Sequence, residues 1–351
     1  MMKVGILMPF SGLVSSIAQE IEKGLRLGSN VFDKEEVSIV TRYLNCEEID
    51  RNKDALNDLI KVEKAQLIIA VLNCDQSELM QAYFEKCGTP VVIFNLAACR
   101  DLSKGQKLSN VFLNSLDLSS SQYVLGNFAK DLLDQTCVCL DRVEEGEGGT
   151  ISKKAMQHIS GDMLGYLFGE EDIQEVLNFA QQHRPKHIHV LTSSHAIFSK
   201  FIKHLNEEKF SKVIKVSFVP YFSDTSTMKV LEVSSRNIFS ASTWFKEIDN
   251  EANLEFVENY HNNFGSAPEG YALLAYEVGL LLRNSLEEHS GKVSKERLLV
   301  DLNRVNVLGP RGAIDLHTQR ISANPVYVSK VGLGWDGLSL KREIISREEM
   351  V

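Results

Sequence analysis

Two side chains in this sequence have the chemistry of a nucleophile and its base: Cys99, which closes the run Asn95-Leu96-Ala97-Ala98-Cys99, and His195, which follows Thr192-Ser193-Ser194. Cysteine catalysis also needs a group that orients the base and a loop that holds an oxyanion. The sequence identifies neither, so no catalytic residue is expected, and His195 reads as a helix cap or a hydrogen-bond donor to a ligand. Metal chemistry is no better supported. Cys137 and Cys139 stand one residue apart with no second pair near a histidine pair, so the structural-zinc spacings are missing and no metal or cofactor is expected. The Gly-rich run Val143–Thr150 carries Glu144, Glu145 and Glu147 and no lysine after its glycines, which suits a surface loop and repels phosphate.

What remains is binding chemistry, carried by hydroxyl, acidic and aromatic residues just past apolar runs. Phe10 and Ser11 lie in Met8-Pro9-Phe10-Ser11-Gly12, with Ser15 beyond them; Asp75 and Gln76 lie in Asn73-Cys74-Asp75-Gln76-Ser77. Ala97, Ala98 and Cys99, then Ser193 and Ser194, then Tyr221 in Pro220-Tyr221-Phe222, complete the set. Ser11 and Ser15 also have a plainer role as turn and cap residues.

The elements that must position these residues follow an alternation of short apolar runs and amphipathic stretches, the pattern of helices on parallel sheets. Strands are expected at Val4–Met8, Val37–Tyr43, Leu67–Leu72, Val91–Phe94, Cys137–Leu140, Met163–Phe168, His187–Leu191, Lys215–Val219 and Ile238–Ser242. Helices are expected at Ser15–Ser29, Ser77–Cys87, Ser119–Leu133, Ile173–His183, Ala196–Leu205, Asn253–Phe264 and Tyr271–Glu287, before hairpin-like segments at Gly312–Leu316 and Val326–Val331 and a turn at Gly334–Gly337. A length of 351 residues suggests two domains, each able to bury a core without staples. The formal net charge of -9 excludes a global field for nucleic acid or anionic lipid. The apolar runs are strand-length, far short of the roughly 20 residues of a membrane span. Met1-Met2-Lys3-Val4 enters a strand at once, so the protein is expected in the cytoplasm, or in the periplasm or at the cell surface if a leader was removed.

Several segments together resemble the type I periplasmic solute-binding proteins, in the branch that binds leucine, isoleucine, valine and amides. Lys3-Val4-Gly5-Ile6-Leu7-Met8-Pro9-Phe10-Ser11-Gly12 is similar to the opening strand and Pro-x-Ser-Gly loop of that family. Phe256 through Gly265, then Pro268, Tyr271-Ala272 and Ala275-Tyr276-Glu277, resembles its late helix pair, and Gly309-Pro310 with Gly312, Ile314 and Asp315 the hairpin after it. The resemblance runs from end to end. It implies an α/β fold of two Rossmann-like lobes joined by three hinge crossovers, with lobe one at 1–116 plus 243–316, lobe two at 117–242 plus 317–351, and a cleft between them.

On that resemblance Asp75 stands where serines commonly bind a ligand carboxylate. It would repel that group, meet a cationic or hydroxyl group, or cap a helix beginning near Ser77. Cys99 replaces a hydroxyl with a weak donor, and Tyr221 stands where branched-chain binders often carry an acid; Tyr221 and Phe222 suit a ring or an apolar tail. Cys46 and Cys74 resemble positions that carry a disulfide in family members; the alternative is two buried thiols. The resemblance implies a binding protein that closes on a small molecule by hinge motion, the substrate-binding component of an ABC importer with a permease as partner, for an amino acid or a related acid or amide. The alternatives are a cytoplasmic ligand-responsive regulator of the same fold and a Cys/His enzyme, which replacing Cys99 by Ser would abolish.

Overall fold

Parallel strands covered on both faces must be apolar along their length, and Leu67–Val71 and Val91–Asn95 are buried at every position. They are β3 and β4 of a computed structural model that describes residues 2–9, 14–31, 37–44, 49–72, 74–95, 109–132, 136–141, 163–168, 175, 178–179, 182–183, 186–191, 200–203, 215–218, 238–289, 293–304, 307–314, 316, 324–333 and 340–348. The chain divides into two compact units, Met1–Asp117 with Asp249–Asn324, and Leu118–Ile248 with Pro325–Val351.

In the first unit β1 (Met2–Pro9), β2 (Val37–Leu44), β3, β4 and β5 (Val111–Ser115) form a parallel sheet in the order β2-β1-β3-β4-β5. One core cluster joins Leu7, Ile68, Ala70, Val91 and Ile93 of the sheet to Leu56 of α2 (Ile49–Asn57), Leu59 of the π-helical turn that continues it (Asp58–Val62), and Met80 and Phe84 of α3 (Cys74–Cys87). Elsewhere in the unit α1 (Val14–Ser29) packs against α6 (Gly270–Glu288), backbone to backbone. A Cβ on Gly28 would stand 2.2 Å from the Tyr276 carbonyl oxygen, and one on Gly24 2.1 Å from that of Ala272, so only glycine permits this approach. Before α6 comes α5 (Glu251–Phe264), started by Asn250, whose Oδ1 accepts from the Asn253 N–H, and stopped by Gly265 in the left-handed region. After it come α7 (Lys295–Leu302) and the hairpin of β11 (Val307–Gly309) and β12 (Gly312–Ile314).

The second unit repeats the arrangement. β6 (Thr136–Asp141), β7 (Met163–Phe168), β8 (His187–Leu191), β9 (Lys215–Phe218) and β10 (Ile238–Ser242) run parallel in the order β7-β6-β8-β9-β10. β13 (Val326–Leu333) and β14 (Leu340–Glu348) extend the sheet antiparallel beyond β10. Val124, Leu125 and Phe128 of α4 (Leu118–Leu132) cover Phe239, Ala241, Val326 and Val328. Strand alternation puts Phe218 on the opposite face, against Phe201.

The structure departs from the sequence reading at α7, which that reading does not include, and at α3 and β14. α3 begins at Cys74 rather than near Ser77, because cap-forming residue types recur at Asn73, Asp75 and Ser77 and offer three possible starts; Ser77 is buried inside the helix. β14 went unread because it is an edge strand rich in charge, with Arg342 laid over the Phe245 ring at 4.5 Å.

Candidate ligand-binding site

In an open parallel sheet the ligand crevice lies at the carboxyl ends of the strands, where the strand order reverses. In the first unit that point falls between β1 and β3, because β2 lies on one side of β1 and the rest of the sheet on the other. The segments that leave these two strands carry Phe10, Ser11, Ser15, Asp75 and Gln76. Ser15 lies in the first turn of α1, Asp75 and Gln76 in the first turn of α3, and Gln76 is half-buried. Phe10 and Ser11 lie outside the described residues, as do Ala97, Ala98 and Cys99, which follow β4 and its buried terminal Asn95 in the chain.

The start of a helix leaves backbone N–H groups without intrahelical partners, an environment that favours an anion. The two helices differ in one respect. By sequence an aspartate, Asp75, stands in the first turn of α3, whereas α1 has no acidic residue in its first turn.

The second unit has its own reversal between β6 and β8. Ser193 and Ser194 follow β8 in sequence and Tyr221 follows β9; these three and His195 lie outside the described residues. By strand order the segment after β6 also borders this reversal: Asp141 ends the strand, and the acidic run Val143–Thr150, expected from the sequence as a surface loop, lies outside the described residues. The signal is topological: a loop after the first strand of a repeated unit borders the reversal. Of the proposed bridge, Cys74 opens α3 and Cys46 lies outside the described residues. Cys87 is a free thiol, donating to the Phe84 carbonyl at 3.0 Å, and burial pushes its pKa up.

Two titratable clusters sit away from these edges. In β8, His187 and His189 are buried side by side, and Ser217 of β9 bridges them: its Oγ lies 2.7 Å from His187 Nε2 and 2.7 Å from His189 Nδ1. His189 Nε2 has no hydrogen-bond partner among the described residues. Burial holds His189 down to about 3; burial, then the neighbouring His189 and Lys215, holds His187 well below the ordinary value. At the end of α6, Glu288, His289 and Asp301 bring ligand atoms within 4.8 Å of one another. Arg297 Nε sits 2.8 Å from His289 Nε2 and 3.3 Å from Asp301 Oδ1, which places a guanidinium at that cluster. Ser285 also donates to Asp301 in a short hydrogen bond.

No helix among the described residues is long and apolar enough to cross a membrane. The family model described as periplasmic binding protein matches residues 2–333. No curated protein matches the sequence. Among solved structures, an ABC-transporter solute-binding protein of Rhodopseudomonas palustris BisB5 in complex with 3,4-dihydroxybenzoic acid is 17% identical with a TM-score of 0.79, covering 99% of this chain and 97% of that one. An ABC-transporter substrate-binding protein of Sphaerobacter thermophilus is 15% identical with a TM-score of 0.81, covering 99% and 98%. The branched-chain amino-acid binding protein LivJ of Streptococcus pneumoniae, in complex with isoleucine, is 14% identical with a TM-score of 0.77, covering 98% and 99%. At these identities the likeness is one of fold.

Proposed function

Because the chain belongs to the periplasmic binding protein family, we propose that it is the substrate-binding component of an ABC importer, handing a small carboxylic acid to a membrane permease and performing no chemistry on it. The observation that carries this is the repeated strand order: each unit has a reversal, β1 with β3 and β6 with β8, and the candidate binding residues follow the strands at or beside it. The residues proposed to contact ligand are Ser11, Ser15, Gln76, Ala98, Cys99, Ser194 and Tyr221.

The ligand class follows from charge. The start of α1, free of acidic residues, takes the carboxylate, because its N–H groups and dipole favour an anion. Tyr221 and Phe222 offer ring faces where an acid would otherwise hold an ammonium, and the Cys99 thiol is a poor partner for one. Structural neighbours hold both kinds of acid, 3,4-dihydroxybenzoic acid in one and isoleucine in another. The residues here favour a ring or apolar acid over an α-amino acid.

A thermal-shift screen tests this with benzoate, hydroxybenzoates, isoleucine, leucine and valine. A ligand present at a hundredfold its Kd adds about 2.7 kcal/mol of apparent stability by mass action. Stabilisation by an aromatic or apolar acid is the expected result. A melting temperature unmoved by every acid in the panel would overturn the reading, and a response to amino acids alone would overturn the ligand class.

A further inference from the structure

The chain passes between its two units at three places, Asp117 to Leu118, Ile248 to Asp249 and Asn324 to Pro325. The turn of the β11–β12 hairpin, Gly309-Pro310-Arg311-Gly312, hydrogen-bonds to the first-unit side of the first two and lies near that of the third. Arg311 Nη1 donates to the Ser115 carbonyl at 2.6 Å, and Arg311 Nη2 to Asn114 Oδ1 at 2.9 Å, just before the first passage. Asn250 Nδ2 donates to the Pro310 carbonyl at 3.0 Å, just after the second. Asn324, the last residue before the third, stands near Gly312: a Cβ added to that glycine would be 3.8 Å from Asn324 Oδ1.

Arg311 is itself fixed. Its Nε donates to Glu277 Oε1 at 2.8 Å and its Nη2 to Glu277 Oε2 at 2.6 Å, a two-pronged pair with both side chains almost fully buried. Asn114 closes the network, its Nδ2 donating to Glu277 Oε2 and to the Leu274 carbonyl, each at 3.1 Å. Asp117 holds a left-handed backbone, φ 47°, with its N–H given to Ser115 Oγ at 3.0 Å. A buried ion pair adds little net stability over an apolar pair of similar volume, and its best-attested use is to fix one arrangement among alternatives. The arrangement fixed here is the spacing of the three exits.

We propose that the hairpin turn, with Arg311 as positioning residue, is a clamp that couples the three passages, so that loosening one loosens all. The proposal concerns the free protein and goes beyond the solute-binding reading, whose failure would leave it standing. The test is hydrogen exchange of the full-length, ligand-free chain in two single variants. Asn250→Asp keeps an N-cap acceptor for α5 while removing the donor to Pro310; Arg311→Lys keeps the charge while removing the fork. Each variant is expected to speed exchange at 115–118, 248–251, Asn324 and Val326 together, by about five- to tenfold for Asn250→Asp, the loss of roughly one net hydrogen bond, and by at least as much for Arg311→Lys, with β1, β3 and β4 unchanged. If Asn250→Asp alters only 248–251, or if either variant speeds exchange evenly through the first unit, the three passages are not coupled through the turn and the proposal falls.

Discussion

Acid should destabilise the second unit through β8. In the folded protein His189 is neutral down to about pH 3, while in the unfolded chain it takes a proton near its ordinary value of 6.5. Between those values the unfolded state binds one proton more, so stability is fully present above pH 6.5 and declines as pH falls towards 3. The slope is about 1.4 kcal/mol per pH unit for each such histidine. From pH 6.5 to pH 5 His189 alone therefore removes about 2 kcal/mol, and His187, shifted in the same direction by burial, adds to the loss. Ser217 cannot relieve this, because its hydroxyl has one proton to give and already joins both rings. Both tryptophans, Trp244 and Trp335, belong to the second unit, so urea unfolding followed by tryptophan fluorescence reads that unit directly. His189→Gln, which keeps a partner for Ser217 but does not titrate, should lose about 2 kcal/mol less than wild type between pH 7.5 and pH 5. Equal acid losses in wild type and variant would refute the reasoning.

Gly28→Ala should destabilise the first unit by about 1–3 kcal/mol, since the new methyl meets the Tyr276 carbonyl oxygen at 2.2 Å and the two helix backbones must part; unchanged or raised urea resistance by circular dichroism would contradict the close approach of α1 and α6. If Cys46 and Cys74 are bonded, as the family resemblance implies, alkylation of the unreduced, denatured chain should modify four of the six cysteines and reduction should release the other two. Six modified thiols without reductant would remove the argument for an oxidising compartment.

Most of the fold was legible because parallel strands buried on both faces write themselves as apolar runs: Leu67–Val71, Val91–Asn95 and Ile238–Ser242 stand close to where hydrophobicity puts them. The elements that escaped are those whose residues obey other demands. α7 is short and half-exposed, with Ser294 Oγ accepting from Arg297 N–H as its start, and β14 alternates charge along an open edge. Polar residues in buried places were harder still. Glu277 lies among Leu274, Ala275 and Val278 as though on the wet face of a helix, and its partners Arg311, 34 residues on, and Asn114 explain it. His187 and His189 read as the polar half of an alternating strand, yet both faces of β8 are covered. The candidate site was legible as to which loops it uses, through the carboxyl-end rule, but not as to side-chain roles, since Asp75 changes meaning with a three-residue shift in where α3 begins.

The net charge of -9 does not weigh against a carboxylate ligand. Charges spread over a surface act across a Debye length of about 8 Å at physiological ionic strength, and beyond that distance they are largely screened. A carboxylate at the first turn of α1 would be held at hydrogen-bond distance by N–H groups that no salt intervenes to screen, and the helix dipole adds to the same sign. The local question is which acidic side chains share that site. Asp75 is the one the fold brings to the neighbouring helix start, so it sets the balance: Asp75→Asn should strengthen binding of a carboxylate ligand and leave a neutral amide unchanged, as isothermal titration of the two would show. Weaker carboxylate binding in that variant would mean that Asp75 holds a donor on the ligand and that the charge argument runs the other way.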